Sequence, residues 1–244
     1  MDLLVCLHGF TDDGSVWAPT IERLGWRDAF EVRTPSAIGH GGRPFTADAL
    51  RLDDLAGEVI ASLDRPAVLI GHSMGALTAE RAAAGHPGLV RAVVLEDPPW
   101  GDPPDPDHAE AARAELVAWI AGLQAADQTR RLAWLDEQHP GWPEAERDPW
   151  AASKAAVDPA LLAVRGRWMG ETWESDVAAL TCPALLLAGE EALGGAIEER
   201  YLQRARTLNP GVQLHRVEGA GHSVRRDRPD RYGELVSAFL ASLP

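Results

Sequence analysis

The sequence predicts an α/β fold: a mostly parallel six-stranded sheet flanked by helices, with a helical cap inserted before the last two strands. Three observations predict it. Short apolar runs alternate with longer stretches of helical periodicity, the pattern of strands that are covered on both faces. One of these runs, Val68-Leu69-Ile70, stops at Gly71-His72-Ser73-Met74-Gly75 and passes at once into a small-residue helical pattern. Between Asp97 and Cys182 the alternation gives way to a stretch rich in proline and tryptophan with helical spacing only.

Leu3-Leu4-Val5-Cys6-Leu7 is the first strand, closed by His8-Gly9-Phe10. Ser15 is the expected N-cap of a helix whose apolar face carries Val16, Trp17, Ile21 and Leu24. Phe30-Glu31-Val32 reads as the second strand, and Pro35 to Pro44 as a loop around Gly39-His40-Gly41. Leu52, Leu55, Val59, Ile60 and Leu63 share one helical face. Pro66 introduces the strand before Ser73, and Val90 to Leu95 is the next, ending at Glu96-Asp97-Pro98-Pro99. The five prolines from Pro98 to Pro106 predict a stiff connector without helix. Leu116, Trp119, Ile120 and Leu123 then open the helical insert, which Leu132 and Leu135 continue. Asp158-Pro159 is a cap followed by proline at the first helical position, opening a helix over Leu161 to Trp168. Pro183 to Ala188 is the fifth strand, Ile197 to Leu208 a helix, Val212 to Val217 the sixth strand and Tyr232 to Leu240 the last helix. The expected organisation is a core of 1–97 and 181–244 with a cap of 98–180.

Composition bounds the partners. The 244 residues carry 23 Lys plus Arg against 37 Asp plus Glu, a net charge of −14. That excess argues against nucleic acid or an anionic membrane, both of which reward basic patches. No apolar run has the length of a membrane span. The strand begins by Leu3, so no signal peptide is expected. Cys6 and Cys182 fall in or beside strands and are expected as unpaired thiols in a reducing compartment, hence a cytoplasmic location. No metal-ligand spacing and no phosphate-binding loop occur, so neither a metal nor another cofactor is expected.

The chemistry centres on Ser73. Gly-x-Ser-x-Gly between a strand and a helix is the nucleophile-elbow pattern, in which glycines two residues either side of the serine remove the Cβ atoms that would collide. The helix that follows turns backbone N–H groups and its positive dipole end towards any oxyanion formed there. Serine needs a base, and the base an orienting acid. Among the histidines after Ser73, His222 lies in a Gly-rich loop just beyond the last strand, where loops carry functional side chains. His86 stands at a helix end and His215 within a strand. His8, His40 and His72 flank the site as packing or hydrogen-bonding groups. The tryptophans of the insert are mostly expected as its core, with one or two lining a pocket.

His8-Gly9-Phe10, Gly39-His40-Gly41, Gly71 to Gly75 and Gly219-Ala220-Gly221-His222, in that order, resemble the α/β-hydrolase superfamily over almost the whole chain. The resemblance implies a Ser, acid, His order, oxyanion donors at the Phe10 and Met74 N–H groups, and a cap where the tryptophan-rich insert lies. It also implies a start at the third strand of the full fold, without the usual first hairpin. The opening Leu-His-Gly-Phe-Thr with Trp17 downstream is similar to the menaquinone-pathway SHCHC synthases, which are small capped members.

The acid is where the chain departs from the family pattern. Members usually carry an aspartate in the loop after the fifth strand, and here the corresponding stretch is Gly189-Glu190-Glu191-Ala192, with alanine at that place. A minority use an acid at the end of the preceding strand, which falls on Asp97. Asp97 is therefore the expected acid, with Glu191, Glu190 and Glu96 as alternatives. The reading that follows is a serine hydrolase acting on a carboxylic ester, lactone or thioester, with an apolar or aromatic small-molecule substrate. The rivals are a C–C bond hydrolase or SHCHC-synthase-like lyase on the same residues, and a non-catalytic receptor on the same scaffold. A dehalogenase or epoxide hydrolase is disfavoured, because those relatives carry an aspartate where Ser73 stands.

Overall fold

The computed structural model describes residues 1–102, 105–163 and 172–244. Six strands, β1 (Asp2–Leu7), β2 (Phe30–Arg33), β3 (Ala67–His72), β4 (Val90–Glu96), β5 (Ala184–Ala188) and β6 (Val212–Arg216), form one sheet in the order β2-β1-β3-β4-β5-β6. Every neighbouring pair is parallel. The winding reverses between β1 and β3, and ligands of open α/β sheets bind at such a reversal, beyond the carboxyl ends of the strands.

Side-chain alternation sorts each strand between two cores. On one face Leu3, Val5 and Leu7 of β1 join Leu69, Val93, Leu95 and Leu186. That face is covered by α3 (Leu52–Ala61), α4 (Met74–Gly85), α9 (Trp173–Ala179) and α10 (Glu199–Leu208). On the other face Leu4 and Cys6 join Val68, Ile70, Val94 and Leu187. Its cover is the 3-10 turn Gly14–Trp17 with α1 (Ala18–Arg23), α2 (Trp26–Ala29), α11 (Val224–Asp227) and α12 (Pro229–Ala241). At about 1.5–3 kcal/mol per buried aliphatic side chain, these two layers are the main source of stability.

The stretch between β4 and β5 carries α5 (Pro106–Ala125), α6 (Gln128–Gln138), α7 (Glu144–Ala155), α8 (Pro159–Ala163) and α9. Ile120, Val157, Leu161 and Leu162 pack with Met74, Phe45 and Leu55, which fixes α5 and α8 over the elbow. Leu123, Leu135, Trp150 and Ala151 form a further small core within them.

Local details differ from the sequence reading in three places. The cap of the first turn is Asp13, which accepts from Ser15 N at 2.8 Å, while Ser15 Oγ donates to the same carboxylate. The helix of the insert begins at Pro106, because proline at a first helical position withholds only an N–H that has no acceptor there. Trp100 and Trp173 stack at 4.8 Å in the core beneath the sheet face, and Trp100 Nε1 donates to the buried Glu80 at 2.8 Å. Asp158 does cap α8, accepting from Ala160 N at 2.8 Å, while the expected continuation to Trp168 lies outside the described residues. No described helix is long and apolar enough to cross a membrane.

Candidate active site

Ser73 sits between β3 and α4 with φ 55° and ψ −118°. The ladder runs through it, since Ser73 N donates to Glu96 O at 2.9 Å and Ser73 O accepts from Ala76 N at 2.9 Å. A Cβ on Gly71 would overlap the carbonyl of Gly75, and one on Gly75 would overlap the carbonyl of Leu7. Among the described residues only Ser73 and Asp97, at φ 45°, are non-glycine residues at positive φ. Such conformations cost on the order of 1–3 kcal/mol each and cluster at functional sites. The strain at Asp97 has no sequence signature.

His222 lies in the loop after β6, and its Nδ1–H donates to Asp97 Oδ2 at 2.7 Å. Asp97 is fully buried and also accepts from Gly189 N at 3.0 Å and Ala196 N at 2.7 Å. Glu96, one residue earlier, faces the opposite side of the sheet, where it accepts from Arg225 N at 2.8 Å and Arg225 Nη1 at 3.0 Å. Glu191 is exposed, accepts from Glu199 N at 2.8 Å and pairs with Arg216 at 3.6 Å. Glu190 engages the His222 loop only through its backbone, donating to Ala220 O at 2.7 Å. Of these four carboxylates, Asp97 alone meets His222. Ser73 Oγ and the His222 ring face one cavity, without a hydrogen bond between them among the described contacts. In unliganded enzymes such contacts often tighten only once substrate is bound.

His72 supports the same loop: its Nε2–H donates to His222 O at 2.9 Å. Burial holds its pKa well below the ordinary value, so one ring proton suffices and it stands on Nε2. Met74 is the first residue of α4, where an N–H has no intrahelical acceptor. Phe10 occupies the second position of a turn closed by Asp12 N donating to Gly9 O at 3.0 Å. A Cβ on Gly9 would stand 2.9 Å from His72 Nδ1 and 3.4 Å from Ser73 Cβ, so this turn lies directly against the elbow.

The shared cavity has a volume of about 630 Å³. Trp119, Trp134, Trp142 and Trp150 line it, more than the sequence suggested. Trp134 stacks on Trp150 at 5.5 Å and 1°, and His139 on Trp142 at 4.2 Å. Beneath them lies a charged group that sequence reasoning missed. Lys154, the only lysine in the chain, is paired with Asp12, which Arg226 Nη2 also contacts at 3.2 Å. Arg226 Nε donates to Glu146 Oε2 at 3.1 Å, and all four side chains are buried. Singularity was the one available signal: a chain that otherwise uses arginine keeps a lysine at one place. A second cavity, about 270 Å³, lies behind the elbow against Leu7, His8, Met74 and Thr78 and contains neither Ser73 nor His222.

A sheet that reverses at β1 and β3, with a strained serine beyond it and a histidine–aspartate pair opposite, defines the class. The chain belongs to the alpha/beta hydrolase family, whose model matches residues 4–235. It is 32% identical to an N-formylmaleamate deformylase of Pseudomonas putida over 97% of this chain and 88% of that protein. It is 26% identical to a pimeloyl-[acyl-carrier protein] methyl ester esterase of Methylococcus capsulatus, over 98% of this chain and 94% of the other. Among solved structures, E-2-(acetamidomethylene)succinate hydrolase superposes with a TM-score of 0.76 at 25% identity, covering 99% of this chain and 92% of that one.

Proposed function

We propose that the chain is a serine hydrolase that cleaves a carboxylic ester, lactone or thioester through an acyl-enzyme on Ser73. The observation that carries the reading is the His222–Asp97 contact of 2.7 Å at the rim of the cavity that Ser73 enters. With Nδ1–H given to Asp97, the ring presents Nε2 as the base. It takes the Ser73 proton as Oγ attacks the acyl carbon and returns it to the leaving group; water then repeats the sequence on the acyl-enzyme. Asp97 holds the tautomer and stabilises the imidazolium. The N–H groups of Phe10 and Met74 receive the developing oxyanion, a contribution worth about 10²–10³ in kcat per donor.

The helices α5 to α8 serve as the cap in this reading, and their four tryptophan rings favour an apolar or aromatic acyl group. A second reading, hydrolysis of an N-formyl or N-acyl amide on the same residues, is favoured by the likeness to a protein named as a deformylase. A panel of p-nitrophenyl esters of graded chain length and of N-formyl and N-acetyl amides separates the two. Ester turnover should fall at least about 10³-fold in Ser73→Ala, because removing a triad nucleophile leaves only binding and the oxyanion hole. A fluorophosphonate should label the wild type at Ser73 and not the variant. Hydrolysis retained within tenfold in Ser73→Ala overturns the serine mechanism.

A further inference from the structure

The Phe10 N–H belongs to the Gly9–Phe10 peptide, so its direction is set by where the Gly9 carbonyl points, on the opposite side of a planar trans unit. Two donors hold that carbonyl: His8 Nδ1 at 2.8 Å and Asp12 N at 3.0 Å. His8 is itself fixed, because its Nε2 accepts from Ala37 N at 2.9 Å. The Asp12 side is held from outside the loop. Lys154 Nζ, on α7, donates to Thr11 O at 3.0 Å, to Thr11 Oγ1 at 3.0 Å and to the Asp12 carboxylate. An ammonium has three N–H donors, and all three are spent on the two residues that follow Phe10. Lys154 is 2% exposed, and Arg226 of α11 grips the other oxygen of Asp12 at 3.2 Å.

We propose that Lys154 is a positioning residue: by fastening Thr11 and Asp12 to α7 it keeps the Gly9–Asp12 turn closed and aims the Phe10 N–H at the oxyanion. Seating the insert and completing the oxyanion hole are then one event, since the clamp spans the insert, the loop after β1 and α11. The inference rests on the serine-hydrolase reading above. It also explains a lysine in a chain of arginines. An ammonium places three divergent donors on one small turn, whereas a planar guanidinium presents its donors in a fork.

The charge on this lysine gives the test its pH axis. Burial pulls the Lys154 ammonium down to about 8, against the attraction of Asp12 and Asp13 and with the repulsion of Arg226. His40, whose ring faces the Phe10 carbonyl, also feels Lys154, and burial keeps it below its ordinary value. Asp12 stays ionised, held down by Arg226 and Lys154 against its own burial. As pH rises past about 8 the ammonium is lost and the clamp loosens.

The experiment measures ester kcat, KM and the affinity of an aryl boronic acid, which forms a tetrahedral adduct on serine, for wild type, Lys154→Met and Lys154→Arg. Lys154→Met should lose about 10–100-fold in kcat with KM within threefold, and boronate affinity should fall in step, a part of the 10²–10³ expected for removing one oxyanion donor. Wild-type kcat should decline above roughly pH 8; Lys154→Arg, whose forked donors replace the ammonium only in part, should start from a lower kcat but carry its decline beyond roughly pH 10, because arginine keeps its charge there. The proposal is overturned by a folded Lys154→Met with kcat within threefold, or by a kcat loss with unchanged boronate affinity. Should Lys154→Met not fold, an alkaline limb identical in wild type and Lys154→Arg overturns it. A wild type without Ser73-dependent turnover fails at the earlier step and removes the serine reading along with this one.

Discussion

Two strand ends carry acids within reach of the histidine loop, and they differ in everything but charge. At the end of β4, Asp97 is fully buried, strained at φ 45° and bonded to His222 Nδ1. At the end of β5, Glu190 and Glu191 occupy the stretch where many family members place an acid, yet neither carboxylate meets His222. Glu191 lies in solvent and tethers Arg216 and the start of α10. The β5 loop supplies backbone instead: Gly189 N and Ala196 N donate to the two oxygens of Asp97. Gly189 is needed for this approach, because a Cβ there would overlap the Gly221 carbonyl. The lesson is that a loop can support a site with its N–H groups after its own side chain has withdrawn. A carboxylate accepting such bonds is oriented by backbone groups whose own positions the fold fixes.

The contrast breaks most sharply at Asp97. Asp97→Asn should lower kcat by about 10⁴, as acid-to-amide changes do when they invert the imidazole tautomer. Steady-state kinetics with the fold checked by circular dichroism decide this. A nearly silent Asp97→Asn beside a crippling Glu191→Gln would move the acid to the β5 loop. Glu96→Gln sharpens the contrast from the other face of the same strand. It leaves Arg225, fully buried, without its nearer carboxylate and with only Asp12 at 3.8 Å, and breaking a buried pair from one side costs about 3–5 kcal/mol. Denaturant unfolding should register that loss while kcat per folded molecule stays within tenfold; the reverse result would give Glu96 a part in turnover. The smallest effect belongs to Glu191→Gln, less than about tenfold in kcat and within about 1 kcal/mol of stability, since its pairing is on the surface.

How much of this was legible depends on the distance over which each signal acts. The four inner strands could be read because burial on both faces leaves a continuous apolar run, β6 because its residues alternate, and the elbow because its glycines answer a clash that is local in sequence. Among the four candidate carboxylates, Asp97 was singled out through the family resemblance rather than by spacing. Glu96 and Asp97 differ by one residue, and only the pleat with its strained exit decides which one reaches His222. The clamp was invisible for a different reason: Asp12, Lys154 and Arg226 are separated by 142 and 214 positions and share no periodicity. The tryptophan-rich insert announced itself by composition, but composition could not say that Trp100 sinks into the sheet-face core while Trp134 and Trp150 line the cavity.

The parallel sheet has a consequence for how the molecule comes into being. Every strand pairing bridges a crossover, and Asp97 waits 125 residues for His222. Non-local contacts of this kind pay loop-closure entropy before they return any energy, so they form late. The unit of β3, α4 and β4 is contiguous in sequence and can assemble early, whereas β5, and with it β6 and the histidine loop, must dock on β4 across the whole insert. Competence should therefore be the last property a refolding chain recovers. Far-ultraviolet dichroism will return before fluorophosphonate labelling of Ser73 does, and coincident recovery of the two would mean that the last strands dock as fast as the first.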